Sequence, residues 1–175
     1  NILSINPSVY SRLTRGETDR MISEGEWVRI GMELLVDMDG LNWKPATTAT
    51  LSLLYNQLAY CKEYSLSAVF CDDKGIGKTF TARLFARQHS NVAYIDCSQC
   101  HTKRELIRQI ARKFGFDYRG KLGEVRQNLV DNILTLDKPL LILDEAGDLS
   151  YEATLEVKSL WNALENMCAF YMMGA

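Results

Sequence analysis

An α/β fold, a parallel sheet with helices on both faces, is predicted by three features of the sequence. Short continuous apolar runs at Ala68-Val69-Phe70-Cys71, Val92-Ala93-Tyr94-Ile95 and Leu140-Leu141-Ile142-Leu143 have the length and character of strands buried on both sides. Stretches of helical period separate them, which is the alternation that yields parallel pairing. A Gly-rich turn follows the first run and two acids close the third, at the strand ends where such sheets bind ligands.

The 175 residues suffice for one such core and a small appendage. With 47% apolar and 24% charged residues the chain reads as an ordinary globular protein, outside the disordered and disulfide-rich classes. A net charge of −2 makes no global electrostatic case for nucleic acid, so any such contact needs a local patch. The five cysteines are an odd number, and Cys71 and Cys168 lie in apolar runs as small hydrophobes, which fits a reducing, cytoplasmic location. No apolar stretch approaches a membrane span, and no membrane partner is expected. The start without Met and the apolar end at Met172-Met173-Gly174-Ala175 read as those of a piece of a longer protein.

Residues 1–45 are expected to form a small helical appendage and linker. Ser8 to Leu13 is a short helical pattern stopped at Gly16, and a longer one runs through Trp27, Ile30, Leu34 and Leu35, with Ser23 and Glu26 as its capping pair. Asp37 to Thr50 lacks a period and reads as linker. The core is expected over 46–175. Leu51, Leu54, Leu58 and Cys61 recur at helical spacing and lead into a buried strand at 66–71. After the turn, Phe80, Leu84 and Phe85 continue a helix to about Gln88, and Val92–Asp96 is the next strand. Thr102 and Glu105 form a capping box opening a helix that Gly115 stops after Phe114. Leu122, Val125, Leu129, Ile133 and Leu136 predict a helix over 122–136, ended by Pro139. The strand at 140–145 precedes a helix over 151–165 carrying Leu155, Leu160, Trp161 and Leu164, and Cys168–Met173 is the fourth strand. Trp161, Phe170 and Tyr171 are expected in the core.

The turn, Asp72-Asp73-Lys74-Gly75-Ile76-Gly77-Lys78-Thr79, has the layout of a phosphate-binding loop, with Asp72 where the pattern G-x-x-x-x-G-K-[ST] has its first Gly. A triphosphate concentrates negative charge, so its site needs many donors at close range. Gly75 and Gly77 let backbone N–H groups turn inward, and the helix that follows adds its dipole. Lys78 brings a positive charge to the β- and γ-phosphates, and the Thr79 hydroxyl can ligate Mg²⁺. Asp73, Lys74, Ile76 and Phe80 complete the predicted nucleotide contacts. Asp144 is the second candidate Mg²⁺ ligand, and Glu145 the residue that orients or deprotonates an attacking water, so Glu145 and Lys78 are the catalytic candidates and ATP with Mg²⁺ the expected ligands. The plainer alternative is an ordinary turn at Gly75 and Gly77, with the two acids capping the next helix. Both motifs in this order, each at a strand end, favour the nucleotide site.

On these residues the chain resembles the AAA+ ATPases, with Asp72–Thr79 as Walker A and Leu140–Glu145 as Walker B. The resemblance implies a P-loop NTPase core, here without its lid. More narrowly, residues 45–175 look like the phage Mu B-type transposition ATPases, through Asn91-Val-Ala-Tyr-Ile-Asp96 and Asp144-Glu-Ala-Gly-Asp148. That likeness implies ATP binding, self-assembly on DNA without sequence preference and a transposase as partner. At the fourth strand's end, where a sensor residue is normally presented, this sequence offers Gly174.

Two basic regions are candidate DNA contacts. Lys103, Arg104, Arg108 and Arg112 lie on the helix opened by Thr102, the three arginines at i, i+4 and i+8, where aligned like charges repel unless they meet anions. A solvated face and a contact to a neighbour's acidic surface are the alternatives. Ser8 to Leu13 with Thr14-Arg15-Gly16 also resembles the recognition half of a Cro- or repressor-like helix-turn-helix, which makes Arg12 and Arg15 candidates. Cys97-Ser98-Gln99-Cys100-His101 matches the haem-attachment pattern, but it follows a buried strand in a chain without an export signal, and haem is rejected. Two other functions remain open: a nucleotide-dependent switch or signalling module acting on a protein partner, and a small-molecule kinase, for which no acceptor site is visible.

Overall fold

The chain forms two compact units, Asn1–Ala46 and Thr47–Ala175. A computed structural model describes Ser11, Arg12, Arg15 and residues 46–174. The predicted helices around Ser8–Leu13 and Trp27–Leu35 otherwise lie outside the described residues. In the first unit Ser11 and Arg12 are helical, and the Arg15 guanidinium donates to the Ser11 carbonyl at 3.2 Å and to its hydroxyl at 3.1 Å.

The second unit opens with α1 (Ala49–Tyr64), which starts inside the stretch expected as linker because the Thr48 hydroxyl accepts from Leu51 N–H. It is followed by β1 (Ala68–Cys71), α2 (Lys78–Gln88), β2 (Val92–Asp96), α3 (Lys103–Phe114), α4 (Leu122–Ile133), β3 (Leu140–Asp144), α5 (Tyr151–Ala163) and β4 (Ala169–Gly174). Short 3₁₀ turns follow β2 and β3. All pairings are parallel, in the order β1-β4-β3-β2, so the four strands end on one edge of the sheet.

Period-two alternation sends side chains to two cores. Leu140, Ile142, Ala169, Tyr171 and Met173 meet α1 and α2 through Leu54, Leu58 and Phe85. Ala93, Ile95, Leu141, Leu143 and Phe170 meet α3, α4 and α5 on the other face. The connections that leave β1 and β3 therefore lie on opposite faces, which opens a crevice at the strand ends.

Four expectations change. The strand at 68–71 is not buried on both sides: β1 is an edge strand among those described, Val69 is 70% exposed, and Cys71 is exposed too. Helix α4 stops at Ile133, because 134–138 closes in tight turns, Thr135 N–H to Asn132 and Leu136 N–H to Ile133, with Lys138 at φ 47°. On α5 the buried stripe is Ala153, Val157 and Leu160, continued by Leu164 beyond its end, leaving Leu155 and Trp161 outward. Trp161 instead donates its indole N–H to Ser67 Oγ at 3.0 Å, while Phe170 and Tyr171 do enter the core.

Candidate functional site

The loop between β1 and α2 is shaped by its glycines. Gly75 and Gly77 have φ of 83° and 97°, values an L side chain resists, and a Cβ at either would meet nothing. Conformation, not crowding, is what calls for glycine there. Asp72 is not among the residues of positive φ, so the position tolerates a side chain; its carboxylate turns back to accept from Asp73 N–H at 2.8 Å. Gly77 caps α2, whose first residues are Lys78 and Thr79. Lys78 is buried, and its ammonium donates to the carbonyls of Asp72 at 2.5 Å and Asp73 at 2.8 Å.

Beside the loop is a cavity of about 640 Å³ lined by Lys74, Gly75, Gly77, Lys78, Thr79, Phe80, Arg83, Leu84, Arg87 and Glu145. The two predicted motifs thus meet across one space. Asp73, Ile76 and Asp144 are not part of its lining. Asp73 contributes its carbonyl to Lys78 instead.

Asp144 ends β3 and is 2% exposed. By the strand's alternation it points to the α2 side, the side of Leu140 and Ile142. Its Oδ1 accepts from Glu145 N–H at 3.2 Å and its Oδ2 from the Tyr94 hydroxyl at 2.7 Å. Glu145 sits in the left-handed region at φ 50°, ψ 46°, an uncommon place for a residue with a side chain. Neither acid caps the next helix, since Ser150 accepts from Ala153 N–H and does so itself.

Tyr94, Arg83 and Arg87 are additions that sequence reasoning missed. Register sets Tyr94 beside Ile142 and Asp96 beside Asp144, so the 94 hydroxyl reaches the 144 carboxylate diagonally across the strand pair. The Arg83 guanidinium lies over the Tyr94 ring, 5.2 Å from its centroid, and 3.6 Å from Asp96 Oδ2. Burial, with the bond to Asp144, pushes the Tyr94 phenol up and keeps it a donor. The only prior signal was the alternation of Val92, Tyr94 and Asp96; the strand that Tyr94 faces is not written in it.

The arginine row on α3 divides. Lys103, Arg104 and Arg112 are exposed. Arg108 is half-buried and donates through Nη2 to the Gly120 carbonyl at 3.1 Å, so it ties α3 to the following loop and leaves the free row. Cys97 and Cys100 turn inward to the α3–α5 core, where desolvation pushes their thiols up to about 12 and about 11. Among the described residues no three His, Cys, Asp or Glu side chains gather into a metal site, and no helix is long and apolar enough to cross a membrane. Thr79, in the first turn of α2, and Asp144, at the end of β3, are hard oxygen donors, which suits an ion such as Mg²⁺ that takes one or two protein ligands and the rest from phosphate and water.

Comparison with known proteins fits this geometry. A family model described as an AAA domain matches residues 62–174. Among curated proteins, the chain is 28% identical over 112 residues to the Mu-like prophage FluMu DNA transposition protein B of Haemophilus influenzae, an alignment covering 63% of this chain and 39% of that protein. The chain thus spans about two-fifths of that relative's length. Among solved structures it is similar to Cdc6p from Pyrobaculum aerophilum, with TM-score 0.58, 21% identity and coverage of 76% of this chain and 41% of that one. It is also similar to the ORC2 protein of Aeropyrum pernix, in ADPNP and ADP complexes, with TM-score 0.54, 17% identity and coverage of 77% and 43%. At those identities the two structures speak for the fold, a P-loop NTPase sheet.

Proposed function

The chain belongs to the AAA domain family, and from that premise we propose that it binds Mg²⁺–ATP at the 72–79 loop and assembles with its own copies on DNA. There it acts without sequence preference as an accessory or target-selection factor in transposition, with a transposase as partner. The observation that carries this reading is the one cavity lined by Lys78, Thr79 and Glu145 together, with Asp144 buried just before Glu145 at the end of β3. Similarity to a protein named for DNA transposition supplies the biological direction.

In this reading the N–H groups of residues 73–80 cradle the phosphates, and Lys78 exchanges its two carbonyls for β- and γ-phosphate oxygens. Thr79 and Asp144 would hold Mg²⁺, which when bound neutralises phosphate charge. Glu145 orients or deprotonates the attacking water, its side chain aimed into the cavity by the left-handed turn at its own backbone. Hydrolysis is a separate proposal, weak or oligomer-dependent. Residues 1–45 serve as a helical appendage and 46–175 as the ATP-binding core. On the core, Lys103, Arg104 and Arg112 meet the DNA backbone, with Arg108 holding their helix in place; Arg12 and Arg15 are the candidates of the first unit.

Duplex binding measured at low and high salt, with and without a non-hydrolysable ATP analogue, tests the reading. Nucleotide-dependent, salt-sensitive assembly is expected, and no DNA binding even at low salt would sink the DNA role. A switch acting on a protein partner is the second reading, favoured by the apolar strip along β1, where Leu66, Val69 and Trp161 are exposed. It predicts nucleotide binding with no DNA binding at all.

A further inference from the structure

We propose that Tyr94 is a positioning residue for the metal-side carboxylate, locking Asp144 to the helix that carries the phosphate-binding lysine. The inference rests on the Mg²⁺–ATP reading of the site. Asp144 is almost wholly buried, and a buried carboxylate must have its lone pairs met. One oxygen is held by the Glu145 amide, a long bond at 3.2 Å. The short bond, 2.7 Å, is to the Tyr94 hydroxyl, and it fixes the carboxylate plane.

Tyr94 is itself held. Its ring stands on the α2 side of β2, and the Arg83 guanidinium covers it at 5.2 Å while pairing with Asp96 at 3.6 Å, so the ring is pinned between an edge strand and a helix. Arg83 stands on α2 little more than one turn beyond Lys78 and Thr79. The chain of contacts Asp96, Arg83, Tyr94, Asp144 therefore ties the carboxylate to the helix whose N-terminus meets the phosphates. Because both oxygens of Asp144 are already oriented, the lone pairs left over point in set directions. Removing the hydroxyl leaves the carboxylate held only by the long bond to the Glu145 amide, with its plane no longer fixed, and the cost falls on the metal rather than on the nucleotide. Outer partners of this kind change metal affinity by about ten-fold or more.

The test uses Tyr94→Phe, which keeps the ring beneath the Arg83 guanidinium and removes only the hydroxyl with its bonds to Asp144 and Arg83, so the fold is retained; thermal unfolding without ligand checks this. Binding of a fluorescent non-hydrolysable ATP analogue is titrated with Mg²⁺ in wild type, Tyr94→Phe, Asp144→Asn and the double variant. The expected result is a half-saturating Mg²⁺ concentration raised about ten-fold in Tyr94→Phe, with metal-free nucleotide affinity unchanged. In the Asp144→Asn background the Tyr94 change should add nothing. An unshifted Mg²⁺ dependence in Tyr94→Phe, or a shift of the same size with and without Asp144, would overturn the positioning role while leaving the ATP reading intact. A wild-type chain that binds no analogue at any Mg²⁺ concentration would overturn both.

Discussion

At Glu145 a side chain occupies backbone space that favours glycine, and the strain, about 1–3 kcal/mol for such conformations, persists at the point where the candidate base must face the phosphates. Glu145→Gln keeps that geometry and removes the charge, so analogue binding should be retained and turnover lost, as read by phosphate release. Lys78→Ala should instead abolish analogue binding, since no other buried cation stands in the loop; wild-type affinity in that variant would contradict the phosphate-loop assignment. The thiols make a third residue-level prediction. Burial raises Cys97 and Cys168 to about 12 and Cys100 to about 11, so the folded chain keeps protons that the unfolded chain gives up from about pH 8.5. Their contribution to stability is complete below that pH and is lost as pH rises through the folded values. Urea midpoints should fall between pH 8.5 and pH 11, and a native-state maleimide should label Cys71, the exposed thiol, well before the other four.

Helix α3 shows what is legible at the scale of an element. Its capping box forms as the sequence states it: Thr102 Oγ1 accepts from Glu105 N–H at 3.2 Å, Glu105 Oε2 accepts from Thr102 N–H at 3.0 Å, and Gly115 closes the helix at φ 82°. Thr102→Ala should cost about 1 kcal/mol in chemical denaturation, with nucleotide affinity unaffected. The same helix shows where legibility stops. Arg104, Arg108 and Arg112 are equivalent by spacing, but Arg108 is withdrawn by a carbonyl at Gly120, a turn whose position depends on how 115–121 folds back. The loop motif and Asp144-Glu145 were visible because glycine and paired acids at strand ends have few other uses. Tyr94 was not, because its partner is chosen by the register between β2 and β3, strands joined only through α3 and α4.

For the whole unit, strand order decides what composition could not. Four apolar runs read alike, yet β3 is buried along its length while β1 alternates between half-buried and exposed residues, because β1 stands at an edge of the described sheet and β3 does not. Around that edge Leu53, Tyr60, Leu66, Val69 and Trp161 are exposed on both sides of the strand. A strand that pairs on one side only among the described residues, with apolar flanks, invites pairing on the other. The isolated chain should therefore associate with rising concentration, and Val69→Lys should reduce that association in sedimentation without lowering the melting temperature by more than a few degrees. Association unchanged by the substitution would place the contact elsewhere.

The two carbonyls that hold the Lys78 ammonium also set a threshold of denticity. A ligand gains by taking the lysine only if it returns more oxygen contacts than the loop already provides. A sulfate or a single phosphate brings a few oxygens to one point and gains little on that exchange. On the proposed nucleotide reading, a chain of phosphates can satisfy the ammonium and the loop amides together, and the loop would then select by the number of linked anionic oxygens before any contact with a base or sugar is made.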